Sequence, residues 1–333
     1  MARTSLKLDD AYDLTFECMM ANGADERNAS AIAKTIWRAE RDGAESHGLF
    51  RVPGYVQCFR LGKANTKANP VISSQQNGIL RLSADKGFSP LAHEVGLEPL
   101  AAAAKEFGMA TLGISSIFHF AALWPEVETL TDQGLVGMAF TSSPPYVAAA
   151  GGKRKVFGTN PMAFGWPRGE GKAPMIFDQA SSHSARGEVM IMARDGHDAP
   201  DGAGIDKDGV PTNDPAAILE GAQLPFGGYK GSGIALMVEL LAGPLIGEMT
   251  SLEIGEQDVG GGPALGGQLI LAFDPARLGG TDAAARGDGL FKELESEEGV
   301  RLPGTRRIVN RGRTPTEGIS LPTSLYETIK GLI

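Results

Sequence analysis

At 333 residues the chain can bury one large core or two moderate ones, and with 42% apolar and 21% charged residues it reads as a globular protein, not a disordered one. Its 31 Lys plus Arg stand against 40 Asp plus Glu, a net charge of −9. No basic run is long enough to follow a phosphate backbone, which argues against nucleic acid as a partner. The two cysteines, Cys18 and Cys58, lack Cys-x-x-Cys spacing and are too few for a disulfide framework.

The first sixty residues read as helices. Asp9 or Asp10 can cap a stretch that places Ala11, Leu14 and Cys18 on one stripe. Asp25 precedes a second stretch, with Ile32, Ile36 and Trp37 on its inner face and Gly43 as a stop. The opening residues lack the apolar core of an export signal, and the most apolar stretch, residues 231–249, carries Glu239 and Glu248, too polar for a membrane span. With the cysteine usage, this predicts a cytoplasmic protein with no membrane partner.

From about residue 70 short apolar runs bounded by glycine and polar turns take over: GILRLSADKG (78–87), GMATLGISS (108–116), LVGMAFTSS (135–143), APMIFDQA (173–180) and GQLILAFDP (267–275). Helical patterns at residues 90–108 and 229–247 interleave with them, which predicts an α/β region. Residues 193–215 form a long polar excursion rich in glycine and proline. The tail returns to helix and loop and is expected to pack back on the N-terminal helices.

Several common motifs are missing. The nearest approach to G-x-G-x-x-G is Gly231-Ser232-Gly233, with Leu236 where the third glycine belongs, so there is no Rossmann fingerprint. Gly62-Lys63 and Gly171-Lys172 are both followed by alanine, which excludes a P-loop. The histidines His47, His93, His119, His183 and His197 show no metal-ligand spacing, and no metal is expected. No G-x-S-x-G elbow surrounds a serine.

Residues 44–55 read AESHGLFRVPGY. On a helix, His47 and Arg51 face the same way, one turn apart. Either both are surface groups satisfied by solvent, or Arg51 grips a carboxylate bidentately while His47 reaches the neighbouring atom.

After this string, several others follow in order: SSIFHFAALWPEVETL (115–130), VFGTNPMAFGWP (156–167), FDQASSHSARGE (177–188), the run from Asp208 to Gly247 containing LPFGGYKGSG, and RLPGTRR (301–307). The chain resembles, over nearly its whole length, the malate/L-lactate dehydrogenase-like family of NAD(P)H-dependent oxidoreductases, which is unrelated to the Rossmann-type enzymes of similar name. Ala121 and Ala122, after the His-Phe pair, resemble the branch of Δ1-piperideine-2-carboxylate/Δ1-pyrroline-2-carboxylate reductases; the malate and ureidoglycolate enzymes tend to carry a glycine there.

The resemblance implies an α/β fold, with a non-Rossmann nucleotide-binding sheet domain inserted into a helical lobe made from both chain ends. Residues 1–70 would form the N-terminal helical segment, 71–280 the NADPH-binding region and 281–333 the C-terminal segment. It also implies a homodimer that reduces a small carboxylate substrate, a cyclic imine 2-carboxylate. The alternatives are an NAD(P)-dependent 2-hydroxy acid dehydrogenase of malate/L-lactate type, and a catalytically silent sensor.

Carried over residue by residue, His47 is the proton donor, Ser46 its relay or orienting partner, and Arg51 the carboxylate clamp. Asp178 is the match for an aspartate completing the relay. Thr159 and Asn160 offer polar groups near the substrate. Cofactor contacts fall on His119, Phe120, Ala121, Ala122 and Leu123, on Asp178, Gln179 and Ala180, on Tyr229 and Lys230, and on Arg306, Arg307, Ile308, Val309, Asn310, Arg311 and Gly312. The arginines at 306, 307, 311 and 313 form either a solvated basic tail or a 2′-phosphate site, the latter favouring NADPH over NADH. His119 is the alternative proton donor, since relatives acting on 2-hydroxy acids use a histidine in this string.

Overall fold

In the computed structural model, which describes residues 2–169, 171–258 and 262–333, the two ends of the chain are joined by a two-stranded ribbon. Arg3–Leu6 pairs antiparallel with Ile319–Pro322, Leu6 opposite Ile319. An all-helical N-terminus is therefore corrected: alternation over four residues is too short a signal, and the partner strand lies 317 residues away.

Helices Leu8–Ala21, Glu26–Arg41 and Val52–Arg60 follow. Apolar side chains three and four apart give each a buried stripe, and Leu8, Ala11, Leu14, Cys18, Ile32, Ile36 and Tyr55 share one core with Ile319, Leu321 and Ile329 from the C-terminal end. The side chain of Asp25 accepts from the Asn28 amide at 2.9 Å, an N-cap. Asp10 instead reaches back to the Lys7 amide from inside the first turn.

The central sheet has seven strands in the order Val71–Gln76, Ile79–Ser83, Met109–Phe118, Leu265–Phe273, Val136–Thr141, Met162–Trp166 and Met175–Gln179. One neighbouring pair is parallel, Ile79–Ser83 with Met109–Phe118, and the helix that connects them, Ser89–Phe107, ends at Gly108 with φ +89°. The other pairs are antiparallel. Such a sheet offers no run of parallel strand ends to carry a dinucleotide fingerprint. Both faces are covered. Leu80, Leu112, Ile114 and Ile270 pack under helices Ser89–Phe107 and Trp124–Thr131, and Phe140 and Leu269 pack against helix Tyr229–Ala242.

The polar excursion at 193–215 is partly built into a second, five-stranded sheet of very short strands, ordered Pro211–Thr212, Gly204–Ile205, Ala222–Gln223, Val147–Ala148 and Lys155–Phe157. In the tail, helix Ala283–Ser296 rests against the end of a central strand, where Trp166 Nε1 donates to the Ala284 carbonyl at 3.1 Å and Arg168 pairs with Asp288 at 2.9 Å. Helix Thr305–Glu317 is bound to the end of Glu26–Arg41. Arg311 donates to Asp42 at 2.8 and 2.6 Å and pairs with Glu128 at 2.7 Å, and Asn310 Nδ2 donates to the Asp42 carbonyl.

Candidate active site

Where the helical lobe, the strand Met175–Gln179 and the C-terminal helix meet, they enclose a cavity of about 1220 Å³. Its lining includes Ser46, His47 and Arg51, Ala121 to Trp124, Thr159, Asp178 to Ala180, and residues 301–307 with Asn310.

His47 and Arg51 do meet, but on no continuous helix. Glu45–His47 and Leu49–Arg51 are single 3₁₀ turns, separated at Gly48 by non-helical backbone (φ −89°, ψ −142°). The break is held from behind by Glu40, whose carboxylate accepts the Leu49 amide at 2.7 Å. A Cβ at Gly48 would stand 2.1 Å from that carboxylate, so the close approach requires glycine.

Ser46 Oγ lies 3.1 Å from His47 Nδ1, and Arg51 Nε donates to the Ser46 carbonyl at 2.7 Å. The Arg51 guanidinium rests 4.5 Å from the Phe120 ring centroid. It has no carboxylate partner among the described residues. Cavity exposure leaves His47 and Arg51 half-buried by surface, although protein surrounds them on every other side. Burial lowers the pKa of Arg51 to about 10, so it remains cationic at neutral pH. Burial first, then the charges of Arg51 and His119, push His47 down to about 3. The expected proton donor is thus a neutral imidazole at neutral pH while Arg51 lacks a carboxylate partner.

The segment at 119–124 serves several purposes. Ala121, Ala122 and Leu123 line the cavity. Phe120 carries the guanidinium, and its carbonyl accepts from Tyr55 Oη at 3.2 Å. His119 lies behind the lining and donates through Nε2 to Glu126 at 2.9 Å.

Asp178 lines the cavity, but its carboxylate accepts the Leu123 and Trp124 amides at 2.8 and 3.2 Å. It caps the start of helix Trp124–Thr131 and fixes the 119–124 segment. Burial raises its pKa to about 6. Both amides fall on Asp178 Oδ2, and among the described residues no hydrogen bond joins the carboxylate to the Ser46-His47 pair that the relay expectation would connect it with. The expectation for Asn160 is corrected. Its φ of +38° turns the side chain into the core, where Nδ2 donates to Glu239 at 2.6 Å, while Thr159 stays in the lining.

Of the remaining expected cofactor residues, Gln179, Ala180, Arg306, Arg307 and Asn310 line the cavity. Ile308, Val309, Arg311 and Gly312 do not; Val309 is 62% exposed, and Arg311 is engaged by Asp42 and Glu128. Tyr229 and Lys230 are exposed at the start of their helix, outside the lining. Sequence reasoning passed over His183, Arg186 and Glu188, which line the cavity from the string FDQASSHSARGE, because no spacing rule marks them. Gly187 belongs with them, since a Cβ there would lie 2.7 Å from Arg51 Nη2.

The lining suits a nicotinamide dinucleotide. Trp124 Nε1 and Arg186 Nη1 are buried donors with no hydrogen-bond partner among the described residues, both on cavity-lining side chains. Helix Thr305–Glu317 starts in the cavity wall at Gly304 (φ +88°) with Arg306 and Arg307 in its first turn, an arrangement that favours an anion.

Residues 6–330 match the malate/L-lactate dehydrogenase family. The chain is 46% identical over 331 residues to a Δ1-pyrroline-2-carboxylate reductase of Ancylobacter novellus, covering 98% of this chain and 97% of the relative. It is 42% identical over 332 residues to a Δ1-pyrroline-2-carboxylate/Δ1-piperideine-2-carboxylate reductase of Pseudomonas aeruginosa, covering 98% and 99%. The crystal structure of a Δ1-piperideine-2-carboxylate reductase from Pseudomonas syringae pvar. tomato superposes with a TM-score of 0.92 at 38% identity, covering 99% of this chain and all of that one. With its fold, its cavity and its full-length relatives in agreement, this chain belongs to the malate/L-lactate dehydrogenase family of oxidoreductases.

Proposed function

We propose that this chain reduces a cyclic imine 2-carboxylate, Δ1-piperideine-2-carboxylate to L-pipecolate or Δ1-pyrroline-2-carboxylate to L-proline, with NADPH used in preference to NADH. The observation that carries the reading is Arg51: a guanidinium enclosed by protein, aromatic on one side, without a carboxylate partner, beside an imidazole in the wall of a dinucleotide-sized cavity. A buried cation is costly unless paired, and the substrate carboxylate is the partner this site lacks.

The nicotinamide, when bound, supplies the hydride that the imine carbon accepts. The protein does the rest. Arg51 fixes the carboxylate and so the face presented. A carboxylate on Arg51 offsets the second cause of the depressed His47 pKa, after burial, so substrate binding favours the protonated imidazole that can donate to the ring nitrogen. Ser46 holds His47 Nδ1 and sets the ring orientation.

The preference for NADPH rests on Arg306. Arg311 is tied to Asp42 and Glu128, Arg313 to Glu317, and Arg307 donates to the Ile176 carbonyl, which leaves Arg306 on the cavity wall for a 2′-phosphate. The homodimer reading is supported by helix Tyr229–Ala242. Glu239 accepts from Asn160 and Ser251 on its inner side, while Leu236 and Leu240 are 48% and 51% exposed on its outer face, which a second copy would cover. The free, buried thiols of Cys18 and Cys58 support a cytoplasmic location.

Following nicotinamide absorbance with each imine, and separately with pyruvate and oxaloacetate, tests the reading. Faster turnover of the imines is expected. Faster turnover of the keto acids would replace it with 2-hydroxy acid dehydrogenation.

A further inference from the structure

The cavity holds a second guanidinium without a countercharge. Arg186 lies over the Tyr146 ring, 4.4 Å from its centroid, and its one side-chain hydrogen bond among the described residues is a long one, from Nη2 to the Leu219 carbonyl at 3.4 Å. Nη1 is buried with no partner. Burial pulls the pKa of Arg186 down, and the group that opposes it is Tyr146, not a carboxylate. The carboxylates among the described residues of the lining are engaged elsewhere. Asp42 pairs with Arg311 and Glu45 with Arg194, Asp178 accepts the Leu123 and Trp124 amides, and Glu188 accepts the Ala185 amide at 3.3 Å. An enclosed charge left in this condition calls for a partner that a ligand brings.

The position of Arg186 decides which ligand. It is the first residue of helix Arg186–Asp195, whose start lies in the cavity wall, and the first-turn amides of a helix have no intrahelical partner and favour an anion. The next residue, Gly187, packs on the carboxylate clamp: a Cβ there would lie 2.7 Å from Arg51 Nη2 and 3.2 Å from Ser46 Cβ. Arg306 and Arg307 belong instead to the start of helix Thr305–Glu317. Arg186 is therefore a neighbour of Arg51 at the substrate end of the cavity. Arg51 takes the 2-carboxylate, which leaves Arg186 for a second acid on the same molecule.

We infer that Arg186 is a specificity-determining residue that binds a second carboxylate of the substrate, so that a cyclic imine dicarboxylate is held between Arg51 and Arg186 more tightly than a monocarboxylate. A monocarboxylate imine is still oriented by Arg51 and His47, but it leaves Arg186 unpaired and forgoes that charge-assisted contact. The inference rests on Arg51 being the clamp for the 2-carboxylate.

Pyrrole-2-carboxylate and the pyrrole 2,3-, 2,4- and 2,5-dicarboxylates are flat analogues that are not reduced, so their binding is read without turnover. Calorimetric titration into the protein saturated with the nicotinamide cofactor it uses is expected to show at least one dicarboxylate binding on the order of 10-fold more tightly than pyrrole-2-carboxylate. In Arg186→Met that advantage should vanish, with the affinities for pyrrole-2-carboxylate and for the cofactor changed by less than about 3-fold. Arg186→Lys, which keeps the charge and loses the planar fork, should keep part of it. Finding no dicarboxylate that gains over the monocarboxylate on the wild type would overturn the inference, and that result needs no variant to fold. So would an Arg186→Met protein that keeps the advantage, one that weakens both acids alike, or one that loses cofactor affinity, the last placing Arg186 on a cofactor phosphate. A dicarboxylate bound through Arg186 by a protein that reduces keto acids faster than imines would leave this inference standing and count against the imine reading, so the two fail separately.

Discussion

The guanidinium carbon of Arg51 lies 4.5 Å from the centroid of Phe120, and the same ring packs edge-on against Tyr55 at 5.3 Å. An aromatic chain reaching into the helical core thus holds the arginine in place. Lysine at this position would keep the charge and lose the planar fork that stacks on the ring and grips both carboxylate oxygens. Arg51→Lys is expected to raise KM for the imine on the order of 100-fold, about 3 kcal/mol, with a smaller effect on kcat. Steady-state kinetics checks this, and an unchanged KM would remove Arg51 from substrate binding.

His47 should take up a proton when a carboxylate binds. Its pKa is held to about 3 by burial, then by Arg51, then by His119, and a carboxylate on Arg51 cancels the second cause. A pKa that rises on binding means net proton uptake, greatest at pH values between the free and bound pKa and fading above and below that window. Titrating pyrrole-2-carboxylate into the protein at about pH 6, in buffers of different ionisation enthalpy, should give heats that depend on the buffer with the sign of uptake. Buffer-independent heats would mean that His47 does not couple to the clamp.

Gly187 offers a test of close packing. An added Cβ would sit 2.7 Å from Arg51 Nη2 and 3.2 Å from Ser46 Cβ, so Gly187→Ala must displace one of them. Overpacking of this kind costs about 1–3 kcal/mol of stability. The larger effect is expected on kcat/KM, roughly 10-fold or more, because both neighbours belong to the site. A variant as active as the wild type would show that Arg51 has room to spare.

Glu40 makes stability depend on pH. Burial, opposed by the Leu49 amide and aided by Glu45, raises its pKa from 4.5 to about 7. The folded state therefore binds this proton more tightly than the unfolded state, and stability falls as pH rises from about 4.5 to about 7. Glu40→Gln, which retains an acceptor for the Leu49 amide, should flatten that slope in urea unfolding across the window. Equal slopes for the two proteins would contradict it.

The strings that carry chemistry were legible because each is local. Ser46, His47 and Arg51 lie within six positions and converge as expected, although through two 3₁₀ turns and not one helix, since the Glu40 carboxylate that breaks the turn at Gly48 is invisible to spacing. The apolar runs at 78–87, 108–116, 135–143, 173–180 and 267–275 all hold strands, but their order in the sheet depends on pairings between distant segments. The contacts of Asp178, Asn160 and Phe120 were hidden for the same reason. What each does is set by a tertiary partner, respectively the helix start at Leu123, the Glu239 carboxylate and the Arg51 guanidinium. Arg186 and Glu188 gave no periodic signal at all and enter the site through the fold.

The crystal structure of the protein with NADPH and pyrrole-2-carboxylate bears most directly on the site. The inhibitor's carboxylate is expected to bridge the Arg51 guanidinium, with its ring nitrogen facing His47 and the nicotinamide stacked on the opposite side of the inhibitor. A carboxylate bound away from Arg51, at Arg186 or at the rim near Arg306, with His47 out of reach, would contradict the assignment.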